Sequence, residues 1–281
     1  MEPLVTTQWL EDHLGDPDLV VLDCSVVQLP SGPEGLRFAS GRADYDAGHI
    51  PTAGFADLTS DLSDPTSPLN YALPSPERFC DAMGVLGVGD DSRVVVYDGS
   101  IAAWAARVWW MLRWVGFDRA AILDGGLRAW TAQGRPLSTE PAPSSPRKLT
   151  ASPRPELVAT RDDVLAAIAD DQVCILDAMP AAHFRGEQTM YERTGHVPGA
   201  LNTPVRDLLD ESGRFRPLDE LEALHPSDRS ARTITYCGGG IAAAASAFVL
   251  TRLGFDDVAV YTASMQEWAA DPANPLVVDE N

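Results

Sequence analysis

The chain has 281 residues, 45% of them hydrophobic and 22% charged, a mix that folds into one or two globular domains with buried cores. Acidic residues outnumber basic ones 41 to 21 for a net charge of −20, which argues against nucleic acid or an anionic membrane surface as a partner. No stretch reaches the roughly 20 apolar residues of a membrane span.

In chain order, Val20-Val21-Leu22-Asp23 predicts a short buried strand ending in an Asp, and Gly48-His49-Ile50-Pro51 a turn. Cys80 falls in a predicted helix, and Val94 to Tyr97 read as a second strand running into Asp98. Ala102 to Val115 is Ala-rich, without Gly or Pro, and predicts a long helix, with Gly116 placed to end it. Ile122-Leu123 reads as a third strand, and Trp130 follows. Residues 138–155 are rich in Pro and Ser and predict a semi-extended linker with a domain boundary near residue 145.

The second half repeats the first. Cys174-Ile175-Leu176-Asp177, Gly195-His196-Val197-Pro198, Thr233 to Cys237, the helix from Ile241 to Leu253 with Gly254 after it, Val260-Tyr261 and Trp268 match the first-half segments in order. Strands alternating with helices of this length imply parallel sheets. The predicted fold class is α/β, with two tandem domains, each a parallel sheet flanked by helices. Their expected limits are 1–137 and 156–281.

Cys237 is the candidate nucleophile. It ends a predicted strand and precedes Gly238, Gly239 and Gly240, then Ile241 and Ala242 at the start of a helix. Parallel α/β sheets place their sites at the carboxyl ends of strands. Consecutive glycines can turn their N–H groups inward as an anion cradle, and the helix N-terminus adds partial positive charge. Such surroundings favour a thiolate and would hold the charge of a persulfide. Cys24, Cys80 and Cys174 lack such a loop. In the first half Asp98 holds the matching place, so that domain is expected to be catalytically silent. A cysteine phosphatase needs an Arg six positions after its Cys, and here that residue is Ala243. His49 and His196 recur in both halves, so each is expected to hydrogen-bond its own loop.

These segments, with Val108-Trp109-Trp110, Leu123-Asp124-Gly125-Gly126-Leu127 and Gly199-Ala200, resemble the rhodanese family in its tandem-domain form. That form includes the thiosulfate and 3-mercaptopyruvate sulfurtransferases. The resemblance implies two rhodanese-like domains, the second carrying the nucleophile. It implies covalent transfer of sulfur from a small anionic donor to cyanide, a thiol or a thioredoxin-like protein. It also implies that Arg185, in Phe184-Arg185-Gly186, binds the donor's anionic group, with Arg193 as a second anion-binding Arg. The loop departs from the Cys-Gly-Ser-Gly-Val-Thr typical of mercaptopyruvate enzymes: Gly239 and Ala242 stand at the two hydroxyl positions. The alternative is a sulfur-carrier or regulatory binding module on the same fold. No metal or organic cofactor is expected. With no basic-then-apolar N-terminal region and no Cys-x-x-Cys pair, the expected location is cytoplasmic with reduced thiols.

Overall fold

The computed structural model describes residues 1–32, 35–142, 145–226 and 228–278. The chain divides into two compact units, Met1–Arg154 with Glu211–Phe215, and Pro155–Asp210 with Arg216–Asn281.

The first unit runs β1 (Leu4–Val5), α1 (Thr7–His13), β2 (Leu19–Asp23), β3 (Val26–Gly32), β4 (Gly35–Ser40), α2 (Arg42–Ala47), β5 (Gly54–Phe55), α3 (Pro76–Val85), β6 (Arg93–Tyr97), α4 (Ala103–Trp114), β7 (Ala120–Leu123) and α5 (Gly126–Ala132). The second runs β8 (Val158–Ala159), α6 (Arg161–Ala167), β9 (Val173–Asp177), α7 (Ala181–Phe184), β10 (Leu201–Asn202), α8 (Leu218–Glu222), β11 (Arg232–Tyr236), α9 (Ile241–Arg252), β12 (Val258–Tyr261) and α10 (Ser264–Trp268). Short 3₁₀ turns fall at Pro155–Leu157 and Val205–Leu208.

Each unit builds one five-stranded parallel sheet, ordered β1-β7-β6-β2-β5 in the first and β8-β12-β11-β9-β10 in the second. The order is the same, and so is the register of the central pair. Leu19 to Asp23 lie opposite Arg93 to Tyr97, and Val173 to Asp177 opposite Arg232 to Tyr236. Helices pack against the sheets, and the central strands are buried over their carboxyl-terminal three or four residues, as parallel strands are. Val94, Val95, Val96 and Tyr97 are fully buried, as are Thr233, Thr235 and Tyr236. The two threonines keep their hydroxyls satisfied: Thr235 donates to the Ala243 carbonyl at 3.0 Å and Thr233 to that of Ala231. The Thr235 bond ties β11 to the first turn of α9.

α4 and α9 follow the equivalent strands β6 and β11, and both are buried almost all round. Gly116 and Gly254 follow their ends at φ 88° and 82°, the left-handed conformation that closes a helix and that glycine adopts without strain. The first unit also carries the antiparallel hairpin β3–β4, which the sequence reading did not anticipate.

Both units close with the same clip. His49 and Ser138 exchange backbone hydrogen bonds, and so do His196 and Val277. Trp130 donates its indole N–H to the Pro136 carbonyl, and Trp268 to that of Pro275. The segment expected to be a linker therefore begins as the clip of the first unit. It continues along that unit: Arg147 donates to Gly84, Ser152 to Val115 and Arg154 to Trp114, while Thr150 binds the Asp90 carboxylate and Leu149 is buried. The division between units falls after Arg154, nine residues beyond the expected boundary near residue 145. Residues 143–144 of the expected linker lie outside the described residues.

Candidate active site

The carboxyl ends of β9 and β11 meet at Asp177 and Tyr236, the last pair of their register. Asp177 is 1% exposed; its carboxylate accepts from the Met179 N–H at 2.7 Å and from the Tyr236 hydroxyl. Burial outweighs these bonds and pushes its pKa up to about 6. The Tyr236 hydroxyl in turn accepts from the Val197 N–H at 3.1 Å, fixing the Gly-His-Val-Pro turn to the strand end. Cys237 follows directly, with its side chain buried.

Three contacts hold the backbone of Cys237 and Gly238. The Cys237 N–H donates to the Ser264 hydroxyl at 3.1 Å, and its carbonyl accepts from the Met265 N–H at 3.1 Å. The Gly238 carbonyl accepts from Gln266. The Ser264 hydroxyl donates onward to the Tyr261 carbonyl at 2.6 Å, so both of its hydrogen-bonding roles serve the backbone. Ser264 has φ 53°, a left-handed conformation uncommon outside glycine. The loop turns at Gly240, also left-handed at φ 78°, and α9 begins at Ile241. Gly238, Gly239 and Ala242 are half-buried, whereas Gly240 and Ile241 are buried.

The first unit displays the same construction with an anion in place. The Asp98 carboxylate accepts from the N–H groups of Ser100 (2.7 Å), Ala102 (3.2 Å), Trp104 (3.1 Å) and Ala105 (3.1 Å), and from the Ser100 hydroxyl. Trp104 and Ala105 are the second and third residues of α4, whose first N–H groups lack intrahelical partners. The matching residues of α9 are Ala242 and Ala243, with Gly240 in the place of left-handed Ala102. α4 begins five residues after Asp98 and α9 four after Cys237, so the cysteine loop is shorter by one. Cys237 brings a short thiol where Asp98 brings a carboxylate.

Beside the loop lies a small surface cleft lined by Asp177, Met179, His183, Gln188, Thr189, Tyr191, Arg193, Gly195 and Met265. Two of its walls touch the cysteine loop: Met265 through its N–H, and Tyr191, whose hydroxyl lies over Gly238. Arg193 is in this cleft. Its terminal nitrogens donate to the Asp271 and Asn274 carbonyls, both at 2.7 Å, which fixes a guanidinium that has five N–H donors in all. Arg185 is not among the lining residues. It ends α7 on the surface, with Nε and Nη2 on the Glu187 carboxylate at 2.7 and 3.1 Å. Sequence reasoning ranked Arg185 above Arg193; the structure brings Arg193 to the cleft and pairs Arg185 with an acid.

His49 and His196 are engaged by backbone. His49 bonds the Tyr45 and Glu140 carbonyls and stacks on Tyr45; His196 bonds the Phe184 carbonyl and stacks on Phe184. Cys24 is fully buried, and burial with the neighbouring Asp23 and Asp98 charges holds its thiol far above the ordinary range. Cys80 and Cys174 are pushed up by burial too, Cys80 to about 11. Sequence reasoning gave no role to Tyr191 or Ser264. The Ser264 position could have been found through the repeat, since counting back from the two tryptophans pairs it with Gly126, likewise at φ 53°. Among the described residues no helix is long and apolar enough to cross a membrane.

The chain has clear relatives. The rhodanese-like domain family matches residues 6–133 and 160–271. The 3-mercaptopyruvate sulfurtransferase of Escherichia coli strain K12 is 36% identical over 97% of this chain and 96% of the relative. The thiosulfate sulfurtransferase of Rattus norvegicus is 34% identical over 94% and 91%. The crystal structure of SseA from Escherichia coli, described as a 3-mercaptopyruvate sulfotransferase with the rhodanese fold, superposes with a TM-score of 0.83 at 35% identity, covering 94% of this chain and 99% of that one. Two repeats of one sheet order, each matched by the same domain family over most of its length, place the chain in the rhodanese family, as a member with two such domains.

Proposed function

We propose that the protein is a sulfurtransferase that takes a sulfane sulfur from a small anionic donor onto Cys237 and passes it to a thiophilic acceptor. The observation that carries this reading is the pair of loops. The Asp98 loop encloses a negatively charged group with four backbone N–H donors, and the Cys237 loop repeats that construction around a thiol. N–H groups preset around developing charge lower a barrier without reorganising.

The Cys237 thiolate attacks the outer sulfur of the donor. A sulfur–sulfur bond forms, the bond from that sulfur to the rest of the donor breaks, and its electron pair leaves with the donor remainder. The N–H groups of Gly238, Gly239, Gly240, Ile241 and Ala242 hold the charge of the persulfide. Arg193, fixed in the cleft, binds the donor's anionic end; Arg185, on the surface a few residues earlier, serves donors that reach beyond it. An acceptor thiol, of a small molecule or a thioredoxin-like protein, then attacks the outer sulfur and restores Cys237 in ping-pong fashion. The segment Gly238 to Ala245 carries no basic residue, which favours a donor with one carboxylate over the thiosulfate dianion. We assign 3-mercaptopyruvate as the preferred donor. The first unit, with a carboxylate in the nucleophile's place, takes no sulfur.

Intact mass after incubation with 3-mercaptopyruvate, and separately with thiosulfate, tests this. Wild type should gain one sulfur atom, more readily from mercaptopyruvate, and lose it to cyanide, while Cys237→Ser gains none. A persulfide that forms but does not turn over would make the protein a sulfur carrier. No adduct with either donor would end the sulfurtransferase reading.

A further inference from the structure

The cysteine loop offers backbone N–H groups to the cleft but no side-chain hydrogen-bond donor. From Gly238 to Ala242 the loop carries no polar side chain. The Ser264 hydroxyl, beneath it, already donates to the Tyr261 carbonyl. Two hydroxyls line the cleft, those of Thr189 and Tyr191, and the Thr189 hydroxyl is engaged by the Tyr191 backbone. A Cβ built on Gly238 would come within 2.5 Å of the Tyr191 Oη and 3.8 Å of its Cζ. The phenol oxygen thus occupies the space that a side chain after the nucleophile would fill.

The phenol is also held in place. Thr189 Oγ1 accepts from the Tyr191 N–H and donates to the Tyr191 carbonyl, both at 3.0 Å. Two residues on, Arg193 is anchored to the Asp271 and Asn274 carbonyls. Tyr191 packs against the hydrophobic core of its unit, which includes Val197, Tyr236 and Met265. Tyr191 and Arg193 therefore present a neutral donor and a cation to one cleft, next to the loop that carries the nucleophile.

We propose that Tyr191 is a specificity-determining residue of the sulfur-loading step, its phenol O–H donating a hydrogen bond to the anion that leaves when Cys237 takes the sulfur. This rests on the sulfurtransferase reading. With 3-mercaptopyruvate, the Cys237 sulfur–sulfur bond forms as the carbon–sulfur bond breaks, and the electron pair becomes the enolate of pyruvate. Its oxygen accepts from Tyr191 while Arg193 holds the carboxylate, and a proton from water completes pyruvate. Burial, with the negative charges of the Cys237 thiolate and Asp177, pushes the Tyr191 pKa up, so the phenol keeps its proton through the alkaline range.

Separated half-reactions test the assignment, because only the first involves this leaving anion. In Tyr191→Phe, kcat/KM for 3-mercaptopyruvate should fall about 10- to 100-fold, while kcat/KM for cyanide as acceptor stays within about twofold of wild type. Gly238→Ala provides a second route, since its methyl displaces the phenol oxygen. It should lower the donor kcat/KM in the presence of Tyr191 and add little in Tyr191→Phe, where the ring leaves 3.8 Å for the methyl. Equal losses in both half-reactions would mean that Tyr191 only supports the loop, and an unchanged donor kcat/KM would show that the phenol does not meet the leaving anion. Either result overturns the assignment while wild-type loading keeps the sulfurtransferase reading intact; a wild type that never loads overturns both.

Discussion

Asp98 and Cys237 end equivalent strands, precede equivalent helices and enter loops closed by equivalent contacts. The Asp98 carbonyl accepts from Leu127 as the Cys237 carbonyl does from Met265. The difference between them is the occupant of the cradle. Asp98 fills its loop with its own carboxylate, bound by five hydrogen bonds. Cys237 puts a thiol there, and on the proposed mechanism the charge comes from the donor. One repeat uses the cradle to stabilise itself, and the other, on the proposed mechanism, receives charge there.

A second difference lies beneath the loops. A Cβ at Gly126 would overlap the Asp98 carbonyl oxygen. At the matching position Ser264 carries a side chain at the same φ, and its hydroxyl holds the Cys237 N–H. The working repeat accepts a strained backbone to gain one fixed hydroxyl under its nucleophile.

Substitution at Asp98 should have the largest effect. Asp98→Ala leaves four backbone N–H groups and a hydroxyl without their acceptor and should destabilise the protein by about 3–5 kcal/mol. Cys237 should still load with sulfur under conditions where the variant is folded. Urea unfolding checks the first expectation and intact mass the second; a stability loss under about 1 kcal/mol would break the comparison. The buried strand-end acids come next. In the unfolded chain Asp177 titrates near 3.9, and in the folded protein at about 6. Between those values only the folded state keeps the proton, so this acid lowers stability as pH rises from about 4 to 6, by about 3 kcal/mol at most. Asp177→Asn should flatten that slope in urea midpoints measured from pH 4 to 7. Asp23, raised by burial and by the Asp98 charge, should preserve a residual slope. Ser264→Ala is expected to have the smallest effect, about 1–2 kcal/mol for one unpartnered buried N–H. It should also slow sulfur loading several-fold, and a variant that loads at the wild-type rate would show that the Cys237 backbone needs no support from below.

Much of this frame was legible in the residues. The string Val-Val-Leu-Asp and its partner Cys-Ile-Leu-Asp became β2 and the end of β9 because a fully buried parallel strand is a continuous apolar run. The two long helices began and ended within a residue or two of their expected limits, since Ala-rich segments bounded by glycine have few alternatives. The two-residue edge strands β1, β5, β8 and β10 escaped notice because a segment that short has no period. The Tyr191 contact could not be read, because it joins a loop to a glycine 47 residues later through a side chain that no local pattern marks. Arg185 and Arg193 illustrate the same limit. Both lie near Gly195-His196, but only the folded chain shows that Glu187 engages one and the tail carbonyls anchor the other.

The clip that ends each repeat determines where the gene can be cut. Residues 136–140 complete the first repeat by bonding Trp130 and His49, so an excised first domain needs the chain through Arg154. The mirrored requirement falls on the other end of the protein. Asp271, Asn274, Pro275 and Val277 hold Arg193, Trp268 and His196, so the last stretch of polypeptide is a tether for the cleft. An affinity tag joined there is expected to disturb the anchoring of Arg193, whereas one on the amino terminus is not.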